Sequence, residues 1–460
     1  ATAEDDTFLR QWFEVATARA SVFSSKENAR WFPFTKGGEW RKWYGNNFLF
    51  VDWENNGQRL KDFERSVIRN EDTYFSKHLT WSLIGGGLPA FRAGDTAFVF
   101  GHKGPALIET GTKPLEPLLC LLNSRAAEAA FGVTSPGLSI EIGHIMNLPV
   151  VDAELPSNLS ASFINAARSD WDAYETSWDF TTLALLSPEH RGETLEDSYA
   201  TLRAHWQSMT DEMKALEEEN NRIFIDAYGL QDELTPEVPI EEITLTCNPA
   251  YRYGVKGSEE DRETRLRADT MAEFLSYAVG CMFGRYSLDA PGLILANQGE
   301  RLEDYLARIP DPRFRPDGDN VIPVLDGDWF ADDITERFRL FLRVTFGEAQ
   351  FRENLRTIED SLGKDIRKYF TKDFYADHVK RYKKRPIYWM FSSPKGTFNA
   401  LIYMHRYRGD TVSVLLNDYL REFISKLEGE RGRLEKLSDD PSASQGQRTK
   451  ALKDMAVIAK

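Results

Sequence analysis

Apolar positions follow two different periods along the chain. Between residues 26 and 150 they form short β-favouring runs at 48–53, 96–100 and 106–108, separated by Gly, Pro and Asn turn signals. Trp31-Phe-Pro-Phe-Thr-Lys-Gly-Gly38 and the turn Gly85-Gly-Gly87 belong to this stretch. Residues 1–25 read as a short helix or linker, and 115–131 as one helix with Leu118, Leu121, Leu122 and Ala126 on a common face. Helical spacing then takes over. Residues 160–173 form a short amphipathic segment, and 197–228 carry Leu202, Trp206, Met209, Met213, Leu216, Ile223 and Ile225 at roughly helical spacing. The acidic run Glu217 to Glu219 reads as the solvated face of that helix. Pro236 and Pro239 mark a break.

Helices are expected at 259–283, 332–346, 351–361 and 364–369, and two strands at 387–391 and 398–404 flank the turn Ser392-Ser-Pro-Lys-Gly396. Beyond residue 412, Leu416, Leu420, Phe423, Leu427, Leu434 and Leu437 recur every three, four or seven residues. This suits a helix-packing seam. A turn at 439–444 and a second apolar set, Leu452, Met455 and Ile458, complete a helical hairpin. The pattern predicts a multidomain α+β protein. Its parts are residues 1–25, a β-containing α/β domain at 26–154, a helical connector or scaffold at 155–238, a second α/β domain at 239–408 with a basic-aromatic segment, and the hairpin at 409–460.

Composition narrows the function. The 460 residues suffice for two to four domains at about 100–200 residues each. A hydrophobic fraction of 42% supplies cores, and a charged fraction of 28% is that of an ordinary folded protein. No apolar run reaches membrane-spanning length, the start lacks a signal-peptide pattern, and the expectation is a cytoplasmic protein with no membrane partner. Cys120, Cys247 and Cys281 are too few and too far apart for a disulfide framework or a zinc site. They read as buried thiols. No metal motif, phosphate-binding loop or nucleophile elbow occurs.

The net charge of −15 argues, as an average, against nucleic acid. Its distribution argues otherwise. Residues 375–408 hold eight Lys or Arg against the single acid Asp377, with Tyr382, Tyr388, Trp389, Phe391, Tyr403 and Tyr407 interleaved. Lys383, Lys384, Arg385 and Lys395 offer charge to phosphates, and Ser392, Ser393 and the amides near Gly396 offer hydrogen bonds. A second cluster comprises Lys26, Arg30, Lys36, Arg41 and Lys42 among Trp40, Trp43 and Tyr44. The bland reading of each cluster is a basic face over core aromatics.

One string invites a catalytic reading. Asn248-Pro-Ala-Tyr251 follows the apolar-alternating run 243–247. Amino-methyltransferases place Asp/Asn-Pro-Pro-Tyr at a strand end to hold a target amine and stack a flipped base. Here Ala250 replaces the second Pro, and no cofactor-binding Gly-x-Gly turn precedes it. The competing reading is an Asn-Pro turn that ends a strand.

Longer strings carry a resemblance. Trp31-Phe-Pro-Phe-Thr-Lys-Gly-Gly-Glu-Trp-Arg-Lys-Trp-Tyr-Gly-Asn46, Val67-Ile-Arg-Asn-Glu-Asp72, Leu119-Cys-Leu-Leu-Asn-Ser124, Ala278-Val-Gly-Cys-Met-Phe-Gly-Arg-Tyr286 and Arg385-Pro-Ile-Tyr-Trp-Met-Phe-Ser-Ser-Pro-Lys-Gly-Thr-Phe-Asn399 are similar to segments of the PglX family. These are adenine-specific DNA methyltransferases of BREX phage-defence systems. The resemblance implies that 26–154 is a target-recognition domain, and that the chain is the DNA-recognition and C-terminal region of such an enzyme. A catalytic domain ahead of it would use S-adenosylmethionine, and this chain itself would hold neither cofactor nor metal. The expected partners are double-stranded DNA and other BREX proteins. The DNA-binding candidates are Arg30, Lys36, Arg41, Lys42 and Lys77, then Lys383, Lys384, Arg385, Ser392, Ser393 and Lys395. The alternative is a protein-interaction scaffold of the defence complex with little DNA affinity of its own.

Overall fold

The short β runs of the first third pair into two sheets. The structure is a computed structural model that describes residues 2–458 except 86–87, 110, 112–113, 136, 138, 152 and 157. The expected turn at Gly86 and Gly87 therefore lies outside the described residues. Strands β1 (Leu9–Gln11), β2 (Trp31–Thr35), β3 (Leu49–Asp52) and β6 (Val99–Phe100) form one sheet in the order β1-β3-β2-β6. Its β2–β6 pair is parallel, and the β1–β3 and β2–β3 pairs are antiparallel. The other sheet is antiparallel, in the order β5 (Phe91–Gly94), β4 (His78–Trp81), β7 (Ala106–Ile108). Residues 1–25 are thus neither a plain helix nor a linker, since β1 joins the first sheet and Phe8, Leu9, Trp12 and Phe13 are buried.

The core under the first sheet is Phe8, Leu9, Phe32, Phe34, Val51, Trp53, Leu60 and Val99. Each fully buried side chain of this size stabilises by about 1.5–3 kcal/mol. Opposite His78, β5 requires Gly94, because a Cβ there would lie 2.2 Å from His78 Nε2.

The predicted helix over 115–131 is two helices, Glu116–Leu122 and Arg125–Thr134. Ser124 caps the second by accepting from Ala127 N, and Asn123 turns its side chain onto β5. The long helix Leu195–Tyr228 has both its ends written in sequence. Thr194 and Asp197 make a reciprocal cap, and Gly229 closes the helix in the left-handed conformation. Its acidic run is not uniformly solvated, however. Glu218 and Glu219 pair with Lys214 and Arg222, but Glu217 is 3% exposed and faces inward.

The chain divides into two units, Ala1–Tyr277 with Arg352–Ser361, and Ala278–Phe351 with Leu362–Lys460. The second holds an antiparallel sheet in the order β8 (Ile322–Pro323), β10 (Asn399–Tyr403), β9 (Tyr388–Ser392). The central β10 is buried and β9 is an edge. Val321, Leu325, Phe398, Ala400, Ile402, Tyr419 and Phe423 form the core here. Helices Arg421–Asp439 and Gln445–Ile458 pack as the expected hairpin. Its seam begins out of phase. A π-helical stretch at Leu415–Leu420 adds residues per turn, which buries Leu415 and Tyr419 and leaves Leu416 exposed. The fold is mixed α+β and multidomain.

Candidate nucleic-acid interface

The basic segment of the second unit is built on a helix end and a hairpin. Helix Phe374–Arg381 has Lys380 and Arg381 in its last turn, cations that suit its negative dipole end. Tyr382 is buried, and the chain reverses through Lys383 and Lys384, both left-handed with φ of 51° and 64°. Lys384 N donates to Val379 O at 2.8 Å and Arg385 N to Tyr382 O at 2.8 Å, so the reversal is internally bonded. His378 fixes the start of β9, for its Nε2 accepts from Ile387 N at 3.2 Å and Tyr388 N at 3.1 Å. Burial, then the charges of Arg381 and Arg285, push its pKa down to about 3 and keep the ring neutral.

Lys383, Lys384, Arg385, Ser392 and Lys395 are exposed, as are Lys380 and the indole of Trp389. Two expected donors are engaged in the turn itself. Ser393 Oγ accepts from Thr397 N and Phe398 N, both at 3.1 Å, and Gly396 N donates to Ser393 O at 2.8 Å. Arg406 and Arg408 have internal partners. Arg406 is buried on the carbonyls of Phe283, Asp317 and Gly318, and Arg408 pairs with Asp410.

The first unit treats its cations differently. Lys36 pairs with Asp5 at 2.5 Å, Lys77 with Glu116, and Arg30 with Asp52 at 2.8 Å, all at the surface or half-buried. Arg41 and Lys42 are buried. Arg41 Nη1 lies 3.1 Å from Asp170 Oδ2, and Lys42 Nζ donates to Glu217, whose other oxygen accepts from Trp43 Nε1 at 2.7 Å. Burial disfavours the Arg41 charge most, but Asp170, Tyr251 and Tyr174 together outweigh it and the pKa lies above its usual value. In this conformation neither Arg41 nor Lys42 offers its charge to a phosphate, because each already neutralises an internal carboxylate.

Asn248-Pro-Ala-Tyr251 is a turn and helix start, not an amine-binding site. Asn248 Oδ1 accepts from Ala250 N at 3.0 Å, while its amide donates to the carbonyls of Ile240 and Ile243. Asn248 is buried, so its side chain serves these internal partners. The preceding run is also not a strand. Thr246 N and Cys247 N donate to Asp170, and Thr244 Oγ1 accepts from Lys42 N. Side chains thus replace a sheet neighbour. All three cysteines are buried free thiols.

No family model matches the chain. Two curated proteins do. It is 35% identical over 486 residues to the adenine-specific methyltransferase PglX of Lacticaseibacillus casei (strain Zhang), covering 100% of this chain and 38% of that protein. Against the adenine-specific methyltransferase BrxX of Escherichia coli O9:H4 (strain HS) it is 33% identical over 469 residues, covering 98% of this chain and 38% of the relative. The chain is similar to PglX along its whole length. It spans 38% of the length of either relative.

One feature of the first unit carries no sequence signal. A cavity of about 600 Å3 lies beside β4 and β5, lined by Trp40, Trp81, Arg92, Phe131 and Glu128 among others. Arg92, on β5, is 2% exposed. Its Nη1 donates to Arg41 O at 3.1 Å and its Nε has no acceptor. Among the described residues no carboxylate pairs with it, and burial, then the Arg41 charge, lower its pKa to about 10. A lone Arg in an alternating strand looks in sequence like any surface arginine. A second lining residue, Trp40, also has a buried indole N–H without an acceptor. No described helix is long and apolar enough to cross a membrane, and no described cluster of His, Cys, Asp and Glu could hold a metal ion.

Proposed function

We propose that this chain is the DNA-recognition and C-terminal region of a site-specific adenine DNA methyltransferase of a BREX anti-phage system. The reading rests above all on the similarity of this chain, along nearly all of its own residues, to 38% of each of two adenine-specific methyltransferases. A catalytic domain outside these residues would extrude the adenine and methylate its amine with S-adenosylmethionine. This chain would select the duplex, in the cytoplasm and together with other BREX proteins. Phosphate contacts fix register and base-edge contacts discriminate.

The exposed set Lys383, Lys384, Arg385, Ser392 and Lys395 supports this reading most directly. Lys36, Lys77 and Arg30 would exchange a carboxylate partner for a phosphate. Arg41 and Lys42 would hold the domain that presents them. Duplex affinity measured against salt concentration tests the proposal. Log K should fall linearly with log salt, and each phosphate-contacting cation removed, as in Lys384→Ala or Lys395→Ala, should lower the slope by about 0.9. Salt-independent binding, or no binding at low salt by the full-length protein, refutes it.

A second reading, a protein-interaction scaffold, is favoured by Leu416, Ile424, Leu452 and Val457, which the helical hairpin leaves exposed. Charge reversal at Lys383, Lys384 and Arg385 separates the two. If methylation survives it while deletion of the hairpin abolishes methylation, the scaffold is the better account.

A further inference from the structure

A buried guanidinium with no counter-charge is a costly arrangement, since burial removes the water that would otherwise solvate it. Arg92 is held there firmly. The neighbouring Phe91 is clamped by Asn123, whose Oδ1 accepts from Phe91 N at 2.9 Å and whose amide donates to Phe91 O at 3.0 Å. Arg92 itself faces Thr80 across the β4–β5 ladder and bridges to Trp43 on its other side. The strand therefore has no freedom to carry the side chain out to solvent.

The cavity it lines has the size of a small-ligand site, which typically spans about 300–1,000 Å3. Its walls are flat rings, Trp40, Trp81 and Phe131, with Leu88 and Pro89, and exposed Ile84 stands at the mouth. Trp81 is locked by its indole N–H on Ile140 O at 2.7 Å. Glu39 and Glu128 also line the space. Glu128 is paired with Arg125 at 2.6 Å, so the lining places acceptors as well as the arginine around the space and offers a bare anion no cluster of cations. A planar ligand with acceptors on one edge and amine donors on another fits the arginine, the carboxylates and the indoles together.

We propose that this cavity receives a single unstacked nucleobase, with Arg92 donating to a carbonyl and ring-nitrogen edge of the kind guanine presents. The base comes either from a free nucleotide or from a DNA strand locally opened at the bound site. The inference rests on the reading of the chain as a DNA-recognition region, and its first assay uses no duplex.

The test titrates the protein with deoxyguanosine monophosphate and follows tryptophan fluorescence, with inorganic phosphate as the control. Saturable quenching by the nucleotide but not by phosphate is expected. Two variants localise it. Arg92→Met keeps the length and removes the charge, and Ile84→Trp narrows the mouth at an exposed position. Both should weaken nucleotide binding by about tenfold or more. Arg92→Met should also leave the melting temperature unchanged or raise it, because an uncompensated buried charge is gone.

No nucleotide binding up to millimolar concentration, equal binding of phosphate, or unchanged affinity in both variants overturns the proposal. If Arg92→Met lowers the melting temperature, the arginine is a structural strut and Ile84→Trp alone decides. A duplex with one unpaired guanosine distinguishes the two sources, since a strand-derived base predicts tighter binding than to the fully paired duplex, lost in Arg92→Met. Failure of the DNA reading is a separate result. It appears as lost salt-dependent duplex binding while nucleotide quenching persists.

Discussion

The pair Lys42–Glu217 joins the aromatic-rich N-terminal segment to the long helix Leu195–Tyr228, and its energetics can be tested directly. The two side chains are 7% and 4% exposed, so neither has much water to fall back on. Glu217 also takes the Trp43 indole N–H at 2.7 Å. Removing one partner of a buried pair costs about 3–5 kcal/mol, because the charge left behind is unsolvated. Lys42→Met strands the carboxylate, and Glu217→Gln strands the ammonium while keeping an acceptor for Trp43. Each single change should therefore destabilise by about 3–5 kcal/mol, a large share of the roughly 5–15 kcal/mol typical of a folded domain. The double change leaves no buried charge and should cost only about 1–2 kcal/mol, far less than the sum. Urea unfolding followed by tryptophan fluorescence measures all four proteins, with the transition of the first unit fitted separately because two units need not unfold together. Additive single effects, or single effects below about 1 kcal/mol, would refute the reasoning. Either result would mean that the pair is in fact solvated.

Two further outcomes follow from local conformation and burial. Lys384 holds φ at 64°, a conformation that costs an ordinary residue about 1–2 kcal/mol, so Lys384→Gly should stabilise the second unit by up to about 1 kcal/mol after the chain entropy of glycine is counted. Thermal unfolding checks this, and the same variant should bind duplex DNA more weakly, so that a gain in both properties would contradict the proposed role. Asp172 is raised to about 6, chiefly by burial and then by Asp179, against the hydrogen bond from Ser177. Its folded pKa lies above the unfolded value of about 3.9, so the folded state binds the extra proton and stability falls as pH rises from about 4 to about 6. Asp172→Asn should match the wild type in melting temperature near pH 4 and exceed it above about pH 7; a constant difference at all pH values would exclude this linkage.

The same physics separates what was legible in the sequence from what was not. Local signals survived folding. Thr194, Asp197 and Gly229 mark the ends of the long helix, Asp333 caps Ile334–Phe346, and the two strands around residues 393–396 form where alternation and turn residues place them. Each is decided within a few residues. What failed was decided at long range. Arg41 and Lys42 read like Lys383 and Lys384 in composition, yet their carboxylate partners lie 129 and 175 positions away, and no window along the chain contains both halves. The run 243–247 alternates like a strand, but its Thr246 and Cys247 amides are satisfied by the side chain of Asp170, and its Thr244 hydroxyl accepts from the main chain of Lys42. Glu217 sits in an acidic triplet of which two members are solvated, and only the approach of Lys42 and Trp43 turns the third inward.

This pattern bears on how the basic residues should be weighed. In a chain of net charge −15, carboxylates outnumber cations, so an isolated cation has many internal partners available to it. The exposed cations Lys380, Lys383, Lys384, Arg385 and Lys395 lie in a stretch of sequence almost free of acid. Residues 378–409 contain no Asp or Glu, whereas Glu27 and Glu39 interrupt the first cluster. Local depletion of acid, more than the number of Lys and Arg, is therefore the sequence feature that goes with an exposed basic segment. By that criterion Lys383–Lys384–Arg385 and Lys395 carry more of the proposed interface than Arg41 and Lys42, and a charge-neutralising scan should find the larger loss of duplex affinity in the second unit.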